Sequence, residues 1–345
     1  MIRFNSDYTE GALPEILDAL VKTNFEQTTG YGEDEYCAEA REYIKSACNA
    51  PSSDVHFLVG GTQTNLTVIS SLLRPYQAVL CADSGHINTH ETGAIEATGH
   101  KVMTVQGNLG KICADDVYKA YRAHFEDESR EHITQPKVVY ISHPTEWGTL
   151  YSKRELEEIS EACKKCNFYL YLDGARLGYG LVAEGTDVTL PDLARLCDCF
   201  YIGGTKCGAL FGEAVVITND EIKADFRYCI KQKGALLAKG RLLGIQFCEL
   251  FKDGLYERAC KNANVLALRI RNAFAECGFE FYFDSVTNQQ FPIFTKEEID
   301  TLSAKYGFLP IEKLDESRTA VRFCTSWATR DEDVDALIRD IKMLK

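Results

Sequence analysis

At residues 152–178 the chain reads SKRELEEISEACKKCNFYLYLDGARLG. Up to Cys166 the apolar residues recur at i, i+3 and i+4, the spacing of an amphipathic helix. FYLYLD at 168–173 is a run of aromatic and branched residues that is too short for a helix, which predicts a buried strand. Asp173 ends this strand. The stretch therefore predicts a helix–strand unit with a carboxylate at the carboxyl end of the strand.

The same kind of unit recurs over the first two thirds of the chain. Further buried runs predict strands at VHFLV (55), AVLCA (78), KVMTV (101), KVVYIS (137), CFYIG (199) and AVVIT (214). Amphipathic stretches lie before and between them: EYCAEAREYIKSAC, TQTNLTVISSLLR and DDVYKAYRAHF. This alternation predicts an α/β fold with a large, mostly parallel sheet covered by helices on both faces.

After about residue 220 the pattern changes. Long helices are predicted from Glu221 to about Phe251 and from Tyr256 to Cys277, interrupted only by exposed glycines. Candidate strands follow at FEFYF (279), QFPIF (290), GFLPI (307) and AVRFCT (320), and DEDVDALIRDIKML predicts a terminal helix. We therefore predict a large α/β domain over residues 1–245, whose N-terminal segment contacts a smaller C-terminal α+β domain over residues 246–345. No Pro/Ser-rich linker separates them, so they should pack tightly around a cleft.

Composition limits the function classes. The 345 residues are 45% hydrophobic and 26% charged, as in globular proteins. The 51 acidic and 38 basic residues give a formal net charge of -13, which disfavours binding to nucleic acid. No apolar run is long enough for a membrane span, and MIRFNSDYTEGALPE lacks the features of a signal peptide. We expect a cytoplasmic protein with neither a nucleic-acid nor a membrane partner.

The fourteen cysteines are expected to be reduced and buried, because a chain of this length can form a core without disulfides. Two pairs could bind a metal. Cys163 and Cys166 have zinc-ligand spacing but close an amphipathic helix, while Cys197 and Cys199 are closer together and alternate along a strand. We predict no metal site, and stoichiometric zinc in the purified protein would contradict this.

Open α/β sheets bind ligands outside the carboxyl ends of their strands. After VHFLV comes GGTQTN at 60–65, leading into an amphipathic helix. Its glycines allow close approach of an anion, and the helix N-terminus offers free N–H groups beside the hydroxyl of Thr62 or Thr64. The turn is a candidate phosphate site, although an ordinary tight turn with a threonine cap is the alternative.

Two charged residues end other strands. Asp173 is costly to bury unless it holds a cation or a strong donor, and a local ion pair with Arg176 is the alternative. Lys206 lies among small and apolar residues in GGTKCGALFG, where lost hydration lowers the pKa of a lysine and makes it a carbonyl nucleophile. A surface lysine in a Gly-rich turn is the alternative.

Together these groups indicate a cofactor. A phosphate turn, a carboxylate and a lysine 33 residues later follow the order needed to hold pyridoxal 5'-phosphate by its phosphate, ring nitrogen and aldehyde. The lysine would store the aldehyde as a Schiff base. His86, in ADSGHINTHETGAIEATG after AVLCA, could stack on the ring, and a helix-capping or surface histidine is the alternative.

On these motifs the chain resembles fold-type-I pyridoxal-phosphate enzymes, and more narrowly the low-specificity L-threonine aldolase and β-eliminating lyase family. The likeness runs over nearly the whole chain, through NSDYTEGALPEIL near the start, TGYGEDEYCAEA at 29, FLVGGTQTNLTVIS at 57, DSGHINTHETGAIEATGHKV at 83, YLDGARLG at 171, GGTKCGALFG at 203 and AVRFCTSWATRDEDVDALI at 320. The resemblance implies an aspartate-aminotransferase-like fold.

The resemblance also implies residue roles. The cofactor contacts would be Gly61 and Thr62 at the phosphate, His86 on the ring, Asp173 at the pyridine nitrogen and Lys206 as the Schiff-base lysine, with Arg176 beside them. The substrate carboxylate would be held by Ser6, Arg176 and Arg322. Tyr31 matches a tyrosine that reaches across from a neighbouring subunit, so a homodimer or homotetramer with interface active sites is expected.

One position departs from the family pattern. The aldolases have Glu-Asn-Thr-His after the strand that matches KVVYIS, whereas this chain has His143-Pro144-Thr145-Glu146 before Trp147. Glu146 therefore stands where the histidine is expected. It could act as a base toward a β-hydroxyl if burial raises its pKa, or it could select a different side chain. Gly178 and Tyr179 also replace the family's usual aromatic-Asn-Ala after DGARL.

The sequence thus predicts a pyridoxal-phosphate lyase that cleaves the Cα–Cβ bond of a β-hydroxy amino acid, threonine or allo-threonine, into glycine and acetaldehyde. Lys206, His86, Asp173 and Glu146 are the predicted catalytic residues. One alternative is a pyridoxal-phosphate enzyme that eliminates a β-substituent or transfers an amino group. The other is a non-catalytic cofactor- or metal-binding protein.

Overall fold

The computed structural model describes residues 1–344. The strands are β1 Ile2–Arg3, β2 Asp54–Leu58, β3 Gln77–Ala82, β4 Lys101–Val105, β5 Gln135–Ser142, β6 Tyr169–Asp173, β7 Cys199–Gly203, β8 Glu213–Ile217, β9 Phe281–Phe283, β10 Gln289–Thr295, β11 Tyr306–Gly307, β12 Leu309–Lys313 and β13 Arg318–Cys324. The helices are α1 Pro14–Lys22, α2 Glu35–Ala47, α3 Gly61–Leu72, α4 His86–Thr89, α5 Ala114–Phe125, α6 Lys153–Cys166, α7 Leu177–Leu181, α8 Leu190–Leu196, α9 Asp220–Lys223, α10 Phe226–Gln232, α11 Arg241–Lys252, α12 Leu255–Glu276, α13 Lys296–Ser303 and α14 Asp331–Met343.

The seven buried runs predicted as strands form one seven-stranded sheet in the order β2-β8-β7-β6-β5-β3-β4. Neighbouring strands pair in parallel except at β8, which is antiparallel to both β2 and β7. Side chains of β5 alternate between two hydrophobic cores, with Val138 and Tyr140 on one face and Val139 and Ile141 on the other. This burial on both faces explains why these strands are continuous apolar runs, and it confirms the predicted mostly parallel sheet.

The four amphipathic stretches of the first two thirds of the chain are also confirmed as the helices α2, α3, α5 and α6. Local signals fix their ends. Ser152 and Glu155 form a reciprocal capping box at the start of α6, and Asn167 adopts a left-handed conformation at its end.

The predicted helix from Glu221 to Phe251 is wrong. Residues 220–252 form the three helices α9, α10 and α11, because Asp225 (φ 62°) and Gly234 (φ 74°) adopt left-handed conformations that end a helix. The glycines are also not all exposed. Gly244 is buried against α2, where an added Cβ would lie 2.6 Å from the backbone nitrogen of Cys37. The second long helix is confirmed as α12.

The C-terminal part contains a four-stranded antiparallel sheet in the order β12-β13-β10-β9. The N-terminal segment packs here, since β1 pairs in parallel with β11 and Phe4 lies in a core with Leu266 and Phe323. The predicted domain boundary between residues 245 and 246 falls inside α11. The division into two domains stays a prediction.

None of the fourteen cysteines is in a disulfide. Eleven are buried, as predicted, whereas Cys229 and Cys277 are half-buried and Cys113 is exposed. Within residues 1–344, no three His, Cys, Asp or Glu side chains are placed to hold a metal ion. No helix in that range is long and apolar enough to span a membrane.

Candidate active site

A cavity of about 260 Å³ lies at the carboxyl ends of the central strands. Seven predicted site residues line it: Gly61, Thr62, His86, Glu146, Asp173, Arg176 and Lys206. They come from the segments that follow β2, β3, β5, β6 and β7 or end these strands. Parallel strands therefore bring to one place residues that are up to 145 positions apart, Gly61 and Lys206.

Asp173 is buried at the end of β6 and accepts four hydrogen bonds. Tyr201 Oη (2.6 Å) and the Ala175 amide (2.9 Å) donate to Oδ1, while Tyr140 Oη (2.7 Å) and Asn65 Nδ2 (2.9 Å) donate to Oδ2. Burial opposes ionisation, but the electrostatic interaction with His86 and these four donors outweigh it and lower the pKa of Asp173. The cavity therefore contains a carboxyl group that ionises more readily than an ordinary aspartate.

The alternative pairing of Asp173 with its neighbour Arg176 is wrong. Arg176 instead forms a bidentate ion pair with Asp7, from Nε to Oδ2 (2.7 Å) and from Nη2 to Oδ1 (2.9 Å). Asp7 is fully buried and also accepts from Asn288 Nδ2 at 2.9 Å. Burial alone would raise the pKa of Asp7, but the charges of Arg176 and Lys206 and these hydrogen bonds lower it to about 2. The N-terminal segment therefore fixes the guanidinium at the cavity.

Lys206 follows β7 in the turn that leads to β8, and it is half-buried. Its Nζ lies 6.0 Å from the centre of the Tyr8 ring, and no side chain of the described chain hydrogen-bonds it. Burial lowers the pKa of Lys206, and the positive charge of Arg176 lowers it further. A lysine in this state supplies a neutral amine more readily than a surface lysine does.

Glu213 on β8 is a second buried carboxyl group beside this turn. It accepts from Thr205 Oγ1 at 2.8 Å and from the Gly204 amide at 3.1 Å, the two residues before Lys206. Burial raises the pKa of Glu213, so this carboxyl group is protonated more readily than an ordinary glutamate. When Glu213 is protonated, it does not repel an anion in the cavity as an ionised carboxylate would.

The predicted phosphate turn begins α3. Gly60 is its N-cap without a capping side chain, so a threonine cap is excluded as the explanation of the turn. Thr64 instead donates its hydroxyl to the Gly60 carbonyl at 3.0 Å. Within residues 1–344 the amides of Gly61 and Thr62 donate to no other group, and both residues line the cavity. Gly61 faces Tyr201, whose hydroxyl would lie 3.2 Å from an added Cβ. The turn is thus open to an anion at the helix N-terminus.

His86 begins the short helix α4 after β3. Its Nδ1 lies 2.7 Å from Oε1 of Glu91, and its ring stacks on His90 with centroids 5.7 Å apart. His86 is therefore not a purely exposed surface histidine.

Glu146 lines the cavity beside His86. Its Oε1 accepts from Ser142 Oγ at 2.7 Å and from the His86 amide at 3.1 Å. Burial raises the pKa of Glu146, which is the condition under which a glutamate was expected to serve as a base. The adjacent Trp147 stacks on Phe283 of β9 with centroids 4.5 Å apart, so this wall touches the C-terminal sheet.

Three predicted substrate-binding residues do not line the cavity. Ser6 is buried, and its hydroxyl has no partner within the described chain. Arg322 donates to the carbonyl of Asn5 at 3.2 Å, while its buried Nε is likewise unpartnered in residues 1–344. Both therefore adjoin the N-terminal segment whose Asp7 holds Arg176. Tyr31 is 45% exposed, with Lys231 Nζ 4.7 Å from its ring centre.

Several residues at the site were not found from the sequence: Asp7, Asn65, Glu91, Tyr140, Tyr201 and Glu213. The tyrosines of β5 and β7 looked like ordinary core residues of apolar strands. Glu213 offered one signal, a carboxylate at the start of an otherwise apolar strand.

Comparisons with known proteins fit this geometry. The sequence profile of the β-eliminating lyases matches residues 3–289. A low-specificity L-threonine aldolase of Pseudomonas sp. is 30% identical over 99% of this chain and 97% of its own length. The Pseudomonas aeruginosa enzyme of that name is 29% identical with the same coverage.

Solved structures extend the similarity. Leishmania major threonine aldolase superposes with a TM-score of 0.97 at 45% identity, covering 100% of this chain and 99% of that one. A double mutant of Thermus thermophilus aspartate aminotransferase gives a TM-score of 0.72 at 14% identity, covering 100% of this chain and 92% of the other. That second likeness is one of fold alone, and it confirms the predicted aspartate-aminotransferase-like fold.

Proposed function

Because this chain belongs to the family of β-eliminating lyases and L-threonine aldolases, we propose that it is a pyridoxal-phosphate lyase that cleaves threonine or allo-threonine into glycine and acetaldehyde. The observation that carries the proposal is the convergence in one cavity of an uncapped helix N-terminus, the Asp173 carboxylate and Lys206, whose ammonium has no hydrogen-bond partner within residues 1–344.

The residues of the cavity fit pyridoxal phosphate. The amides of Gly61 and Thr62 at the start of α3, with the Thr62 hydroxyl, would hold the phosphate. Asp173 stays ionised and would keep the pyridine nitrogen protonated, while Lys206 would bind the aldehyde carbon. When bound, the cofactor supplies the electron sink for cleavage of the Cα–Cβ bond.

We assign recognition of the substrate carboxylate mainly to Arg176 and Arg322. Arg176 is aimed by Asp7 through Nε and Nη2, which leaves Nη1 for a carboxylate. Arg322 and Ser6 contribute unpartnered donors next to that segment. We propose that the three residues hold the carboxylate of the amino acid.

Proton transfer at Cβ is assigned to Glu146. Its raised pKa makes it a stronger base than an ordinary glutamate once it is ionised. Glu146 takes the proton of the β-hydroxyl as the Cα–Cβ bond breaks, so that the hydroxyl carbon leaves as an aldehyde. Cα takes up a proton in exchange, supplied by the protonated Glu146 directly or through water, and leaves as glycine.

The test compares the purified protein with Lys206→Ala in the presence of L-threonine or L-allo-threonine. We expect glycine and acetaldehyde in equal amounts from the wild type and a loss of at least about a thousandfold in the variant. No aldehyde above the variant's level would contradict the proposal. Release of a 2-oxo acid would instead favour the β-eliminating or amino-transferring activity that Glu146 and Trp147 leave open.

The setting of the enzyme is also a proposal. Tyr31 lies outside the cavity of its own chain and is partly exposed, which supports a role in the active site of a second copy in a homodimer or homotetramer. The negative net charge and the predominantly buried, unpaired cysteines support a cytoplasmic location.

A further inference from the structure

Glu91 is a buried carboxylate at the cavity without a role in the proposed function. It follows α4 and is 5% exposed. Its Oε1 lies 2.7 Å from Nδ1 of His86, whereas its Oε2 has no partner in the part of the chain that is described. A buried carboxyl group with one unpartnered oxygen is costly, so the contacts of its other oxygen, including the one with His86, stabilise it there.

Asn65 determines how Glu91 is held. Its Nδ2 donates to Glu91 Oε1 at 2.7 Å and to Asp173 Oδ2 at 2.9 Å, and its Oδ1 accepts from Tyr171 Oη at 2.8 Å. Rotating the amide by 180° would point its oxygen at two carboxylates, so the assignment of its atoms is unambiguous. Asn65 thus connects the carboxylate proposed for the ring nitrogen with the carboxylate on His86.

The contact fixes the tautomer of His86. Oε1 of Glu91 already accepts from Asn65, and an accepting carboxyl oxygen has no hydrogen to give, so Nδ1 of His86 carries the hydrogen of this contact. In the neutral imidazole, Nε2 is then the ring nitrogen with a free lone pair. The other charged or titratable groups that face His86 are His90 on the same helix, Glu146 after β5 and Asp173 on β6. None of these hydrogen-bonds the imidazole ring in the described chain.

We infer that Glu91 is a positioning residue, which locks His86 as the Nδ1–H tautomer and presents Nε2 as a hydrogen-bond and proton acceptor in the cavity. His86 then does more than stack on a ring. The tautomer is a property of the folded chain, while its effect on turnover rests on the proposed function.

The experiment records ¹⁵N chemical shifts of the histidine side chains in the full-length protein with its cofactor, with His86→Gln used to assign the signals. In the wild type, His86 should give a protonated Nδ1 and an acceptor-type Nε2. Glu91→Ala removes the acceptor and should shift His86 toward the Nε2–H form. Glu91→Gln keeps an oxygen, which Asn65 holds in place, and should retain the wild-type tautomer. Glu96→Ala, an exposed glutamate five residues further on, is the matched control.

Kinetics provide the second readout. Glu91→Ala should lower kcat for threonine cleavage by about tenfold to a hundredfold with little change in KM, as loss of an outer histidine partner typically does, and Glu91→Gln should recover most of it. An Nε2–H tautomer in the wild type, or a tautomer unchanged in Glu91→Ala, would overturn the inference. If Glu91→Ala does not fold, the wild-type and Glu91→Gln spectra still decide the tautomer. Correct tautomers without threonine cleavage would refute the proposed function and leave the positioning role intact.

Discussion

At the scale of residues, the charged side chains of the cavity differ in whether they have hydrogen-bond partners. Asp173 has four donors and Arg176 has Asp7, whereas Lys206 has no hydrogen-bond partner within residues 1–344. The position of Asp173 and Lys206 at strand ends was predictable, because each follows a buried apolar run. Asp7 was not, because it lies 169 residues from Arg176 and no local pattern links them.

Glu146 gives a residue-scale prediction about pH. A base works only when it is deprotonated. Below the raised pKa of Glu146, kcat/KM should therefore be low, and it should increase as the pH rises through that pKa. Glu146→Gln keeps an acceptor for Ser142 but removes the basic group. We expect threonine cleavage to fall by about 10²–10⁴ and the acid limb to disappear, with cofactor binding retained.

Steady-state kinetics from pH 5 to pH 9 measure this, and the control is Glu128→Gln, which changes an exposed glutamate. An unchanged acid limb in Glu146→Gln would assign the base to another group.

At the scale of elements, strands were predicted well because the central sheet is buried on both faces and its strands are unbroken apolar runs. The helix predicted over 221–251 failed because periodicity does not detect a left-handed residue such as Asp225. The glycines of this region were expected to be exposed, and for Gly244 that expectation was wrong. Gly244 interrupts no helix; it lets α11 pack directly on α2.

This packing yields a prediction for Gly244→Ala. The new Cβ would lie 2.6 Å from the backbone nitrogen of Cys37, a group that cannot move without displacing α2. The better helix propensity of alanine should be outweighed, and the free energy of unfolding should fall by about 1–3 kcal/mol. Thermal unfolding at fixed protein and cofactor concentrations would show the loss as a lower Tm.

The exposed Lys252→Ala on the same helix is the control and should stay within about 0.5 kcal/mol of the wild type. A Tm for Gly244→Ala equal to or above that of the wild type would refute the close α2–α11 contact.

At the scale of the whole molecule, one chain provides most of a site. The N-terminal segment joins the C-terminal core through β1 and Phe4 and reaches the cavity through Asp7, so it bridges the two parts of the chain. Periodicity predicted the elements but could not predict this bridge, since β1 has two residues. Tyr31 lies outside the cavity of its own chain, and its predicted role in the site of a neighbouring subunit stays a prediction.

A hybrid experiment tests that arrangement. Tyr31→Ala and Lys206→Ala should each be inactive alone, but a mixed dimer would have one site with native Lys206 and native Tyr31. Random reassortment after mixing should restore about a quarter of the wild-type activity, because half of the dimers are hybrids with one intact site each. Activity is measured as acetaldehyde release from threonine.

The control mixes two differently tagged Lys206→Ala preparations and should stay inactive. No recovery in the mixture, although the tags show that hybrids have formed, would place Tyr31 outside the neighbouring site.

We propose that this cavity holds pyridoxal phosphate on Lys206. The most direct measurement is reduction of the purified protein with borohydride, followed by peptide mapping by mass spectrometry. We expect a phosphopyridoxyl group on the peptide that contains Lys206, and its absence from that peptide after prior removal of the cofactor. A cofactor attached to another lysine, or none on any peptide of protein supplied with pyridoxal phosphate, would contradict it.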